Sequence, residues 1–239
     1  VLLARGDVAA QLGLPVLGVV AWAQSFGDGV HTSIPAPGIG ALGAARGQEN
    51  SPIARALRTL GVSADDVAVV SKHDTSTKAN DPNEAELHER LADALGRSAG
   101  APLFVVSQKS LTGHAKGGAA AFQLIGLCQM LAAGVIPPNR SLDCVDEEMA
   151  EHARLVWPRE ALRFGERFPL KAGLLTSLGF GHVSGLIAVV HPEAFVASLD
   201  SQQRDDYRAR AAERSRLGRQ RLLESMHGGD AAYSRPASG

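Results

Sequence analysis

Residues 117–133 contain only Gly, Ala, Phe, Leu, Ile, Cys, Met and two glutamines, and the run stops at Gly134. Length and composition predict a helix whose apolar residues fall on every side. A helix needs one apolar stripe to sit on a core, so one without a wet face belongs inside. A doubly wound sheet leaves each of its helices one solvated face. The run therefore predicts helices lying between two sheets, a restriction no other stretch of the chain imposes as strongly.

The remaining sequence supplies the alternating elements that a layered α/β arrangement needs. Residues 5–13 read as the end of a helix closed by Gly13, and 16–22 as a buried strand of apolar and β-branched residues. Residues 26–52 are dense in Gly and Pro and read as one long loop, of a length that serves a site or an interface. Ser51 and Pro52 start a helix through Leu60, which Gly61 ends. Strands are expected at 67–71 and 103–107, with an amphipathic helix at 83–95 between them carrying Leu87, Leu91 and Leu95 at steps of four. Two more strands, 172–178 and 185–190, flank the turn Gly179-Phe180-Gly181-His182. Residues 201–223 then hold seven Arg against the three acids Asp205, Asp206 and Glu213. Residues 1–195 accordingly read as one domain and 196–239 as a charged helical tail, solvated and laced with i,i+4 pairs.

Composition removes several classes of function. With 24 Lys+Arg against 25 Asp+Glu and only 5% aromatic residues, the chain lacks both the basic excess and the stacking rings of a nucleic-acid binder. No run of 18 apolar residues is present, so no membrane span is expected. Cys128 and Cys144 are too few for a disulfide framework and fit a reducing, cytoplasmic setting. The chain begins at Val1 without a Met and ends Ser234-Arg235-Pro236-Ala237-Ser238-Gly239, and both ends read as cuts through a longer polypeptide.

Three polar loops follow buried strands, where α/β proteins place their sites. They are Lys72-His73-Asp74-Thr75-Ser76-Thr77, Gln108-Lys109-Ser110-Leu111-Thr112-Gly113-His114, and Gly179-Phe180-Gly181-His182. A metal site would draw on His73, Asp74, His114 and His182, but no helical His pair is spaced to start one. A phosphate loop is half present at 113–118, yet no Ser or Thr follows Lys116. The third chemistry is stabilisation of a developing oxyanion or enolate by neutral imidazole N–H groups. It needs His at two loop positions and no metal, which is the pattern seen.

At these loops the chain resembles the C-terminal half of a β-ketoacyl synthase, a condensing enzyme of the thiolase-like superfamily. The wording S-K-H-D-T-S-T-K-A-N-D and Q-K-S-L-T-G-H-A-K-G-G-A-A-A is similar to the ketosynthase domain of bacterial and fungal type I fatty acid synthases. The resemblance covers roughly residues 1–195 and includes the G-V-H-T-S-I-P-A-P-G loop at 29–38. It implies a layered α-β-α-β-α fold, here mainly its C-terminal half. The implied reaction is decarboxylative Claisen condensation: an acyl group moves to an active-site Cys, malonyl on an acyl carrier protein loses CO2, and the enolate attacks the acyl thioester. No cofactor is implied in this domain, the substrates being carried on the phosphopantetheine of the carrier protein. The implied partners are that carrier protein and a second ketosynthase protomer within a larger multienzyme.

Carried onto this sequence, His73 and His114 match the two histidines that donate to the malonyl thioester carbonyl. Lys109 matches the lysine beside them, and Glu84 the acid expected to hold it in an ion pair. Thr75 and Thr77 match the threonines that bond the phosphopantetheine arm. Phe180 matches the gating phenylalanine whose N–H contributes to the oxyanion hole, with Gly179 and Gly181 allowing the turn. Asp74, where free-standing relatives have Gly, and His182 and Ser184 after the Phe loop follow the type I manner. The family's nucleophile has no match: Cys128 falls mid-helix among apolar residues, and Cys144 lies between Asp143 and Asp146, which would raise its pKa. The expectation is a fragment lacking its nucleophile, unable to complete the condensation alone and exposing a large apolar face. A catalytically silent scaffold and a metal-dependent hydrolase are the competing readings. His31 is expected to anchor its loop, His88 and His152 to be solvated on helix surfaces, and Lys72 and Lys78 to be exposed.

Overall fold

The computed structural model describes residues 1–29 and 37–228. His31, most of the 29–38 loop and the end of the chain at 234–239 therefore lie outside the described residues. The helices are α1 (Gly6–Leu12), α2 (Ile39–Ala45), α3 (Pro52–Thr59), α4 (Asp81–Ala94), α5 (Lys109–Thr112), α6 (Ala119–Ala133), α7 (Glu147–Ala150), α8 (Glu193–Ala197) and α9 (Ser201–Met226). The strands are β1 (Val19–Gly27), β2 (Val67–Ser71), β3 (Leu103–Val106), β4 (Val135–Ile136), β5 (Leu155–Val156), β6 (Leu162–Arg163), β7 (Ala172–Gly179) and β8 (Val183–Val190). The chain divides into two compact units, one of Leu17–Ala194 with Val1, the other of Leu2–Val16 with the segment from Phe195 onward. Residues 2–16 thus pack with the C-terminal helix.

In the larger unit a six-stranded sheet runs in the order β1-β8-β7-β2-β3-β5. β1, β8 and β7 are antiparallel, whereas β7, β2, β3 and β5 are parallel. Period-two alternation sends neighbouring strand residues to opposite faces. Val70 enters a core with Ala41, Ile53, Leu57, Leu87 and Leu91 from α2, α3 and α4. Val69 enters a second core with Leu127, Met130 and Leu131 of α6. The result is three layers, helix on sheet on helix.

Two expectations change. Residues 26–52 are not one loop, because α2 lies within them. Their glycines mark close packing: a Cβ at Gly40 would fall 2.4 Å from the Phe26 side chain, and one at Gly38, at φ +73°, 2.5 Å from Leu87. The Asp28 carboxylate accepts from the Gly38 and Gly40 N–H groups at 2.9 Å each and so starts the helix. Nor is α6 buried all round. Gln123, Leu127, Met130 and Leu131 face the sheet, while Phe122 and Ile125 are 47% and 43% exposed, because the described residues supply a sheet on one side only.

In the smaller unit the Arg-rich helix does more than sit in solvent. Arg210 donates to Ala10 O at 3.1 Å and Arg214 to Leu12 O at 2.6 Å, satisfying carbonyls at the α1 C-terminus. Tyr207 accepts from Val16 N–H and donates to Leu14 O, and Phe195 meets its ring edge-on at 5.1 Å. Asp200 and Gln203 form a reciprocal capping box at the start of α9.

Candidate active site

The parallel strands β2 and β3 end side by side, and the residues that follow them meet. His73 leaves β2 and Lys109 opens α5 after β3; the Lys109 ammonium donates to the His73 carbonyl and lies 3.3 Å from His73 Nδ1. His114 follows the positive-φ Gly113, and its ring centre is 5.4 Å from that of His73, the planes crossing at 83°. The two histidines, 41 positions apart in sequence, therefore share one spot.

Hydrogen-bond directions fix both tautomers. An ammonium can only donate, so His73 Nδ1 accepts and its proton resides on Nε2. Likewise His114 Nδ1 accepts from Lys116 N–H at 3.1 Å, leaving Nε2–H as its donor. Burial and the neighbouring Lys109 ammonium push the His73 pKa down to about 4, so the ring is neutral near pH 7. Burial also lowers the Lys109 pKa, against the pull of Glu84 and Asp74.

Glu84, from the first turn of α4, is fully buried beneath the pair. Its carboxylate accepts from the backbone N–H of His73 at 2.5 Å and of Asp74 at 2.8 Å, from Asn80 Nδ2 at 3.1 Å and from Thr176 Oγ1 at 2.6 Å. The expected Lys109–Glu84 ion pair is thus replaced. Glu84 grips the backbone of the His73 loop from below, while Lys109 reaches over the top to the carbonyl and ring of His73. Backbone donors saturate the carboxylate, which leaves the ammonium to the imidazole.

A cavity of about 430 Å³ opens beside these groups, its wall including Lys72, Asp74, Thr75, Lys109 and His114 together with the apolar Leu142, Val145, Met149 and Trp157. His73 and Phe180 are not part of its wall; the Phe180 side chain is 87% exposed. Of the turn glycines, only Gly181 uses a left-handed conformation, at φ +83°, followed by His182 at +58°. Thr75 lines the cavity, but Thr77 is turned to a local task, its Oγ1 accepting from Asn80 N–H at 3.2 Å. Asp81, also in the wall, has its pKa raised to about 6 by burial and by the Asp74 carboxylate.

Sequence reasoning missed two residues here. Lys72, expected to be exposed, is 1% exposed, and His88 is fully buried rather than solvated. The signal for His88 was its position four after Glu84, which puts both on one helix face. Lys78 is exposed as expected, and His152 is partly buried. Cys128 is half-buried, with a thiol pKa raised by burial, and Cys144 is exposed. Among the described residues no group of three or more His, Cys, Asp or Glu is disposed to hold a metal ion. No helix among them is long and apolar enough to cross a membrane.

A three-layer α/β unit with two imidazole donors and a lysine at the ends of parallel strands is the architecture of a condensing enzyme's C-terminal half. The family model described as "Beta-ketoacyl synthase, C-terminal domain" matches residues 17–143, and the chain belongs to that family. Fatty acid synthase 2 of Mycosarcoma maydis is 38% identical over 222 residues, which are 93% of this chain and 6% of that protein. Among solved structures, the ketosynthase FabY from P. aeruginosa matches with a TM-score of 0.70 and 26% identity, over 92% of this chain and 34% of its own. A ketosynthase in complex with its type II PKS acyl-carrier protein matches with a TM-score of 0.59 and 27% identity, over 77% and 41% of the two chains. The chain thus spans a small part of the fatty acid synthase and about a third of the ketosynthase.

Proposed function

We propose that this chain is the enolate-forming half of a β-ketoacyl synthase in a type I fatty acid synthase, acting on malonyl and acyl thioesters held on the phosphopantetheine of an acyl carrier protein. The observation that carries the reading is the forced pair of Nε2–H donors. Two donors sharing one acceptor at about 2.9 Å each can lie up to about 5.8 Å apart, and the ring centres are 5.4 Å apart. That spacing of the rings lets one thioester oxygen accept from both when their Nε2–H edges turn toward it. The malonyl C–C bond to the carboxylate breaks, CO2 leaves, and the electron pair forms an enolate whose negative oxygen rests between the two imidazoles. The enolate carbon then attacks the acyl thioester, forming the new C–C bond and expelling the thiolate.

Lys109 sets the His73 tautomer, Glu84 sets its backbone, and Thr75 in the cavity wall bonds the pantetheine arm. Phe180, in its exposed turn, takes the part of the gate. The acyl-bearing cysteine comes from another part of the synthase, since burial raises the Cys128 thiol pKa and Cys144 stands exposed, flanked in sequence by Asp143 and Asp146. The likeness to a ketosynthase in complex with a carrier protein supports the carrier as partner, and a second protomer completes the assembly.

The test is His114→Ala in the complete synthase, with CO2 release and acyl loading followed separately. Release of CO2 from malonyl thioester falls about 10²–10³-fold, the value of one preorganised oxyanion donor, while acyl loading persists. Lost loading with intact CO2 release would remove the assignment.

A further inference from the structure

The roles above leave three polar groups beneath the site unused, and all are buried: Lys72 and Thr176 at 1% exposure and His88 at 0%. Buried polar groups are costly unless satisfied, so their arrangement constrains what they do. Glu84 as a carboxylate can only accept. The single hydroxyl proton of Thr176 therefore goes to Glu84 Oε1, at 2.6 Å. That obliges Thr176 Oγ1 to accept from His88 Nε2, at 3.1 Å, which assigns His88 to the Nε2–H tautomer. Its Nδ1 is then a bare lone pair, and it is indeed without a hydrogen-bond partner. Burial holds the His88 pKa below its ordinary value, in keeping with a neutral ring. The chain runs one way: His88 Nε2–H to Thr176, Thr176 O–H to Glu84, and Glu84 receiving the N–H groups of His73 and Asp74.

Lys72 completes it. Burial alone would raise the Glu84 pKa, but the adjacent His88 ring, the Lys72 charge and the Thr176 bond hold it well below the usual carboxylate range. We propose that His88 and Thr176 are positioning residues for His73, acting through Glu84. The inference rests on the condensing reaction proposed above. The other charged or titratable groups around Glu84 are His73, Asp74, Asp81 and Lys109.

The experiment uses the complete synthase and reads CO2 release and acyl loading separately, with His73→Ala as control. Thr176→Val and His88→Leu lower kcat for CO2 release about 10–100-fold, the scale of a misplaced reacting group, with KM for malonyl thioester and acyl loading unchanged. Thr176→Ser and His88→Gln, which keep the donors, restore kcat to near the parent value. If His73→Ala leaves CO2 release intact, the proposed reaction itself fails. If His73→Ala abolishes release while Thr176→Val matches the parent, only the positioning chain fails. A measurement without substitution guards against misfolding: ¹⁵N spectra of the chain at pH 7 show His88 protonated on Nε2 alone, and a proton on Nδ1 instead would overturn the inference.

Discussion

Replacing Lys109 with Met is the most direct probe of the site's electrostatics, because one ammonium both faces the His73 ring and bonds its carbonyl. In the parent chain His73 titrates at about 4 rather than 6.5, through burial first and Lys109 second. The sign for stability follows from a folded-state pKa below the unfolded one. The contribution is fully present above pH 6.5, declines as pH falls, and is lost by about pH 4. Two unit charges at the 3.3 Å of the Lys109–His73 contact interact by about 1 kcal/mol in a water-like medium and more in a drier one. Lys109→Met should therefore raise the His73 midpoint by about one pH unit, leaving the part due to burial. The assay is a pH titration of the His73 ring by NMR on the chain itself. The variant should also lose less stability than the parent between pH 6.5 and 4. A parent midpoint near 6.5, or a midpoint that does not rise in Lys109→Met, would refute the reasoning and with it the neutral-donor role of His73.

Arg97 is 5% exposed and donates to the carbonyls of Ala64, Val67 and Pro102. Arg97→Ala leaves these acceptors short of a donor and should cost about 3 kcal/mol, read as a lower urea midpoint at unchanged slope. At Gly173 a Cβ would fall 2.7 Å from Leu127 Cδ1 and from Val69 Cγ1, and 2.9 Å from the Val69 carbonyl. Gly173→Ala should cost about 1–3 kcal/mol by overpacking, measured in the same way; a neutral result would mean that α6 is free to move away from the sheet.

How far the sequence could be read depended on the range of the forces involved. Strands at 67–71 and 172–178 were legible because burial on a sheet leaves a local apolar run, and both are present as β2 and β7. The two histidines and Lys109 drew notice because three polar loops follow buried strands, and the family resemblance singled them out; the fold brings them together. The 26–52 segment misled for the opposite reason. Its glycines looked like local flexibility, whereas Gly38 and Gly40 answer to Leu87 and Phe26, which approach only in the folded chain. The same holds for Lys72 and His88, whose charge and helix position read as surface although the fold buries both. The Lys109–Glu84 pair failed because opposite charges close in a family pattern need not touch. Glu84 had nearer partners in two backbone N–H groups, and sequence does not display backbone donors.

Helix α6 connects the fold to the proposed chemistry. Its composition suits cover on every side, yet Phe122 and Ile125 stand about half exposed on the face away from the sheet. In the larger unit Leu111 at 64%, Phe180 at 87% and Val183 at 50% are exposed as well. Leu111 lies between Lys109 and His114, and Phe180 sits in the turn assigned as the gate. Under the proposed reading these apolar side chains belong against the part of the synthase that brings the cysteine. Closing that face would also dry the surroundings of His73 and His114, and an imidazole N–H facing an enolate oxygen is stronger in a drier medium. Under that reading the apolar surplus seen in the sequence serves the reaction as well as the packing. A single charge placed on it, Ile125→Lys, should depress CO2 release in the complete synthase while leaving the His73 titration of this chain at about 4. Should the variant synthase release CO2 at the parent rate, the face plays no part in closing the site.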